Sequence, residues 1–366
     1  MDNLSTNQYQ PDYTVSPGEV LEYELEMRHM SKSELAKRTG LTEKHLNTIF
    51  KGKGTVSITP ETAIKLERAL GMPVEYWLNL EANYQETRAR LDEEAQLEKD
   101  LDWLKRIPIA AMTKMGWLER HKDKRQQLDA LLRFFGIASV DQWDDLWPNV
   151  AVAYRQHAKQ EIFAEAVSAW LRQGEIQAAS IPCASFSKPG FRAALDQIRA
   201  LTAEPDPAVF VPRLTQLCAA AGVAVVLVPA LPKTGVSGAT RWLNPDKAMI
   251  QLSLRYKTND HLWFTFFHEA GHILLHGKKE LFIEGSNGMD QEKEDQANTF
   301  AAHELIPKKA FTAFSRQGQF TKISIQQFAQ EVGIAPGIVV GRLQHFKLLP
   351  MSHCNDLKVR YQWTHD

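Results

Sequence analysis

Two histidines four residues apart with a glutamate beside the first, His268-Glu269-Ala270-Gly271-His272, make up the stretch of this chain best suited to chemistry. On a helix of about 3.6 residues per turn, His268 and His272 project from one face, while Glu269 leans over the position that a bound metal ion leaves open. Zinc held by such a pair acidifies a water molecule, and the carboxylate takes the proton and passes it to a leaving amine. The spacing points to metal-assisted hydrolysis. The plainer alternative is a helix whose histidines are satisfied by hydrogen bonds and bind nothing. With 12 histidines in 366 residues, a chance HExxH is expected about 0.03 times in such a chain. The flanks, LWFTFF before and ILL after, are apolar on nearly every face and predict a buried helix. Two imidazoles and a carboxylate are costly there unless a metal or other partners satisfy them.

A third ligand has to come from elsewhere. The stretch from Glu292 to Pro307 reads as a helix with Glu294, Asn298, Ala301 and Leu305 on one stripe, polar at its start and apolar beyond. Glu294 is the expected ligand, and Asn298, one turn on, is expected to orient the shell around the metal. His276 competes, because positions 268, 272 and 276 share a helical face with a drift of about 40° at each step. His303 lies half a turn out of phase with Glu294 and is expected to point away.

Together, HEAGHILLHG and the downstream helix ending in ANTFAAHELIP resemble the ImmA/IrrE family of zinc metallopeptidases, whose pattern joins HExxH to an ExxAN helix closed by proline. The likeness covers roughly residues 200 to 310. It implies His268, His272 and Glu294 as zinc ligands, Glu269 as catalytic base and a partner repressor as the usual kind of substrate. His303-Glu304 departs from the family, which usually continues there with an acidic residue and leucine.

A small sheet is expected to support the metal-binding helix. Gly222 to Pro229 is a short apolar run bounded by glycine and proline, Gly235 to Trp242 is a second candidate strand, and Ala248 to Leu254 alternates apolar with polar. Asn244-Pro245-Asp246 supplies the turn between the last two. One of these strands either pairs with a substrate backbone or only supports the helix.

The N-terminal region carries a different chemistry. Ala36, Gly40 and Leu46 stand at helix-turn-helix spacing: the small alanine permits close crossing, the glycine makes the turn and Thr42 caps the second helix. That helix offers Lys44, His45, Asn47 and Thr48 to a major groove, with Lys51 and Lys53 near phosphates. From Ser16 to Tyr84 there are nine Lys and Arg against ten acidic residues, so one copy is expected to bind weakly and a homodimer across a palindromic operator is implied. From PGEVL at Pro17 through ITPETAIKLERALG to YWLNLEANY, residues 16 to 86 resemble HigA-type antitoxins, a branch of the Cro/cI-like XRE repressors. The resemblance implies a repressor, often encoded beside a toxin.

Between these regions Arg88 to Lys105 reads as a solvated helix, Gln126 to Gly136 and Ala158 to Gln173 as amphipathic helices, and Trp103, Trp117, Trp143, Trp147 and Trp170 as core residues. Ala329, Gly333 and Val339 echo the helix-turn-helix spacing and predict a helical cap beside the metal site, with Arg342 a candidate contact for substrate or oxyanion. A net charge of -1 argues against a chain that coats nucleic acid broadly. Three cysteines without a CxxC pair, a polar start and the lack of an 18-residue apolar run predict a cytoplasmic protein with no membrane span.

The expected architecture is mostly α with a small α+β metallopeptidase domain. A five-helix helix-turn-helix bundle is placed at 1–86, a helical connector at 87–200, a zincin-like domain with a short sheet at 201–310 and a helical cap at 311–366. The expected function is a DNA-binding regulator whose Zn2+-dependent endopeptidase domain cleaves a specific regulatory protein. The alternative is a repressor or antitoxin without proteolysis, whose zinc fold acts as a sensor or binds a cognate toxin.

Overall fold

The computed structural model describes residues 15–52, 58–147, 164–278, 281–283 and 291–363. Two compact units emerge, Met1–Leu101 and Asp102–Asp366.

Five helices build the first unit: α1 (Pro17–Met27), α2 (Lys32–Thr39), α3 (Glu43–Lys51), α4 (Pro60–Leu70) and α5 (Val74–Asp100). Local sequence sets most of their ends. Ser16 and Glu19 form a reciprocal capping box ahead of Pro17, Ser31, Thr42 and Thr59 cap the next three helices, and Gly40 and Gly71 close α2 and α4 in the left-handed conformation. Leu21, Leu35, Leu46, Ile49, Leu66 and Trp77 fill the core. Gly18 lets α1 approach α3 so closely that a Cβ there would stand 2.2 Å from the Ile49 carbonyl oxygen. The solvated stretch expected from Arg88 is the outer part of α5, which runs unbroken from Val74, and Leu101–Lys105 turns into a 3-10 helix.

In the second unit α6 (Ile109–Lys114), α7 (Lys124–Phe135), α8 (Val140–Leu146) and α9 (Ala164–Ser180) precede α10 (Lys188–Leu201) and α11 (Pro207–Ala220). Of the helix expected at Ala158 to Gln173, the part before 164 lies outside the described residues. Trp103, Trp143, Trp147 and Trp170 are buried, and Trp117 is half-buried. The strands β1 (Val223–Leu227), β2 (Gly238–Asn244), β3 (Lys247–Leu252) and β4 (Phe282–Ile283) form one sheet in the order β1-β3-β2-β4. β1 runs parallel to β3, and the other pairings are antiparallel. The Asn244 side chain accepts from the Asp246 amide at 2.9 Å, which makes the β2–β3 turn. α9 lies on this sheet: Trp170 Nε1 donates to the Val228 carbonyl at 2.9 Å, and Gln251 Nε2 donates to the Trp170 carbonyl at 2.7 Å.

α12 (Asn259–Leu275) runs through the core, with 14 of its 17 residues buried. It is flanked by α13 (Gln291–Leu305), then α14 (Lys308–Ser315), α15 (Lys322–Val332) and α16 (Pro336–His345). α15 and α16 are the helix-turn-helix echo, joined at Gly333 with φ 69. They act as a packed cap: Ala329, Ile338, Val339, Val340 and Leu343 enter one core with Trp263, Phe266 and Phe267 of α12. Gly337 and Gly341 permit this approach, since a Cβ on either would meet a side-chain oxygen of Asn259 or Asp260 at 2.5 Å. The tail returns to the start of α12, where the Asn259 amide donates to Val359 and Tyr361 donates to Lys257. Lys358 pairs there with Asp260 at 2.7 Å, both ends buried.

Leu46→Ala is expected to destabilise the first unit by about 2–5 kcal/mol, the usual range for emptying a fully packed leucine site. Denaturant unfolding read through the far-ultraviolet signal measures this, and metal content should be unchanged.

Candidate metal centre and nucleic-acid interface

α12 presents His268 and His272 one turn apart, and α13 brings Glu294 against them from the neighbouring helix. His268 Nε2 lies 3.2 Å and His272 Nε2 3.4 Å from the two carboxylate oxygens of Glu294. The two Nε2 atoms are 3.0 Å apart. Among the described residues, this is the group of three or more His, Cys, Asp or Glu side chains whose ligand atoms could close on one ion, all within 4.8 Å of one another. Both histidines are 1% exposed.

The hydrogen bonds behind the imidazoles decide what those converging atoms are. Gln296 Nε2 donates to Glu292 at 3.3 Å, which turns its Oε1 towards His276 Nε2 at 3.2 Å. His276 Nε2–H therefore donates, its Nδ1 is left as an acceptor, and His272 Nδ1–H donates to it at 2.9 Å. His268 Nδ1–H likewise donates to Asn298 Oδ1 at 3.0 Å. With neutral rings, both Nε2 atoms then carry lone pairs, aimed at each other and at a carboxylate. Three acceptors packed this closely repel unless a cation lies between them, and two imidazoles with one carboxylate are a donor set for zinc. Burial lowers the pKa of His272, which favours the neutral, ligating form.

Glu269 is fully buried. Its helix is tied to β2 by the Thr240 hydroxyl, which donates to the Glu269 carbonyl at 3.1 Å. Gly238 makes room for its side chain: a Cβ at that position would stand 2.7 Å from Glu269 Oε1 and 2.6 Å from a methyl of Thr265. Phe282 of β4 stacks on His272 with ring centroids 4.0 Å apart at 18°.

α13 is held at its C-terminal end by two arginines. Arg199 Nε donates to the Glu304 carbonyl at 2.8 Å, and its Nη2 reaches Val332 at the end of α15. Arg342 Nη1 donates to the carbonyls of Ala302 and Ile306 at 2.5 and 2.8 Å, with its guanidinium over the Phe311 ring. Arg342 was expected to meet substrate or oxyanion; its Nη1 instead serves the orphan carbonyls where α13 stops before Pro307. His276 caps the end of α12 and orients His272, and it stands outside the converging group. His303 is exposed.

On the helix-turn-helix, α3 exposes Lys44, Asn47, Thr48 and Lys51. Thr42 accepts from the His45 amide, closing the first turn. His45 is half-buried, with Nε2 3.2 Å from the Thr62 hydroxyl of α4, so its ring is engaged inside the unit. Lys53 lies outside the described residues.

Periodicity could not have located Phe282, which stands on a two-residue strand, and His276 reads from spacing as a rival ligand. A glycine inside a strand pattern, as at Gly238, is a usable sign of close approach.

Residues 221–344 match the family model of the IrrE N-terminal-like domain, a peptidase M78 family, and residues 21–77 match the helix-turn-helix family. No curated protein matches the chain.

Asn298→Ala removes the acceptor that fixes the His268 tautomer. Affinity for a divalent metal is expected to fall by about 10- to 100-fold, as read by competition with a chromogenic chelator.

Proposed function

From a chain that joins a helix-turn-helix domain to an IrrE N-terminal-like peptidase domain, we propose a DNA-binding regulator whose C-terminal unit is a Zn2+-dependent endopeptidase acting on a specific regulatory protein. The observation that carries the reading is the convergence of the two Nε2 atoms and the Glu294 carboxylate next to the buried Glu269. His268, His272 and Glu294 would hold the metal, which when bound supplies Lewis acidity towards a water molecule and the scissile carbonyl. Glu269 accepts the proton of the attacking water and delivers it to the amide nitrogen that leaves, so that the C–N bond breaks as the C–O bond forms. Asn298 and His276 keep the two imidazoles in the ligating tautomer. Burial around Glu269 excludes bulk water from the proton it carries.

The exposed face of α3 supports operator binding, with Lys44, Asn47 and Thr48 at base edges and Lys51 at a phosphate. Weak binding by a single near-neutral unit favours a homodimer on a palindrome, as in XRE and HigA-type repressors. Among the described residues, no helix is long and apolar enough to cross a membrane.

Glu269→Gln is expected to keep one zinc per chain, measured by plasma mass spectrometry, while hydrolysis of the regulatory protein drops by roughly 10²-fold or more. Unchanged regulation by that variant, with zinc retained, would make the domain a binding module instead. Lys44→Ala combined with Asn47→Ala is expected to abolish specific DNA shifts in a genomic-fragment selection without changing zinc content. Loss of both properties overturns the division of labour.

A further inference from the structure

A cavity of about 830 Å³ opens along α12 on the N-terminal side of the metal centre. It neighbours that centre: Asn298 and Phe264 line it, and Asn298 bonds His268 while the Phe264 ring lies 6.4 Å from the His268 ring. Its walls are Phe264 from α12, Ala302 and Ile306 from the end of α13, and Ile338 from α16. Three large apolar side chains stand exposed at its lining, Tyr256 at 50%, Phe346 at 53% and Met351 at 70%.

Several charged groups of the cavity are engaged within the fold, while Asp295, His303 and His345 stand exposed at its lining. Asp260 is paired with Lys358, Arg342 serves two carbonyls, and Arg255 donates to the Gly235 carbonyl. His261 stacks on Tyr256 with centroids 4.2 Å apart, and its burial pushes its pKa down, so it stays neutral. Most of the surface the cavity offers a visitor is apolar, in a volume inside the usual 300–1,000 Å³ of ligand pockets.

The reach follows from helix geometry. His261 and His268 are seven residues apart, about 10 Å along the axis, which an extended peptide covers in about three residues. Building on the endopeptidase reading above, we propose that this cavity is the specificity site, taking a bulky apolar side chain (Leu, Ile, Met or Phe) that lies within about three residues of the scissile bond of the substrate protein. Apolar side chains at this distance from the metal supply binding energy remote from the reacting atoms and align the bond to be cut.

The test uses the full-length Glu269→Gln chain loaded with zinc, immobilised and exposed to a synthetic random-sequence peptide library, with retained peptides sequenced by mass spectrometry. Retained peptides are expected to be enriched in one bulky apolar residue by roughly tenfold over the input. Ala302→Trp, which fills the cavity, and Phe346→Glu, a change at its exposed rim, should each remove that enrichment while zinc content and melting temperature stay unchanged. Retention without apolar preference, or an enrichment that survives both substitutions, overturns the assignment, as does enrichment of acidic or basic residues instead. If the enrichment appears and depends on the cavity while the wild-type chain cuts none of the retained peptides, the hydrolytic reading fails and the binding site stands.

Discussion

Two imidazole nitrogens and a carboxylate, all acceptors, are held together in a nearly dry place. With both rings neutral, that arrangement is repulsive until a cation completes it. Each imidazole is locked from behind, His268 by Asn298 and His272 by the relay through His276 and Gln296, so neither ring can relieve the repulsion by changing tautomer. The rest of the second unit is intelligible as what keeps those atoms in place.

Three features do most of the holding. The first is the burial of α12 on nearly all sides, including the sheet under it and Phe282 stacked on His272. The second is the pair of arginines that satisfy the last carbonyls of α13 and fix the helix carrying Glu294 against its neighbour. The third is the C-terminal tail, whose backbone pairs with the start of α12 and whose Lys358 neutralises the buried Asp260. Removing one member of that pair leaves an uncompensated buried charge, a cost that ordinary surface ion pairs do not carry. Glycines complete the design by omission. Gly238 leaves space for the Glu269 carboxylate, and Gly337 and Gly341 let α16 reach α12.

The two helix-turn-helix patterns of the chain show why spacing alone does not assign a role. Ala36, Gly40 and Leu46 and the later Ala329, Gly333 and Val339 both build a helix pair joined by a left-handed glycine. In the first pair the second helix exposes Lys44, Asn47, Thr48 and Lys51. In the later pair the second helix buries Gly337, Ile338, Val339, Val340, Leu343 and Gln344, and its arginine is spent inside the fold. The same local geometry therefore gives a face for a partner in one unit and a packed cap in the other.

Much of this was determined by local sequence. Caps and glycines set helix ends, HExxH put two imidazoles on one face because the helical period requires it, and the polar-to-apolar stripe of Glu294, Asn298, Ala301 and Leu305 oriented the partner helix. The turn at Asn244 and the three longer strands were legible for the same reason, a short-range pattern with a short-range cause. Only the tertiary structure decided that Arg342 is a helix clamp, that His276 stands behind His272 and outside the converging trio, that His45 turns inward to Thr62, and that Phe282 stacks on an imidazole. Each depends on contacts between segments far apart in the chain, or on which face of a helix its neighbours leave open, and periodicity within one segment carries no information about either.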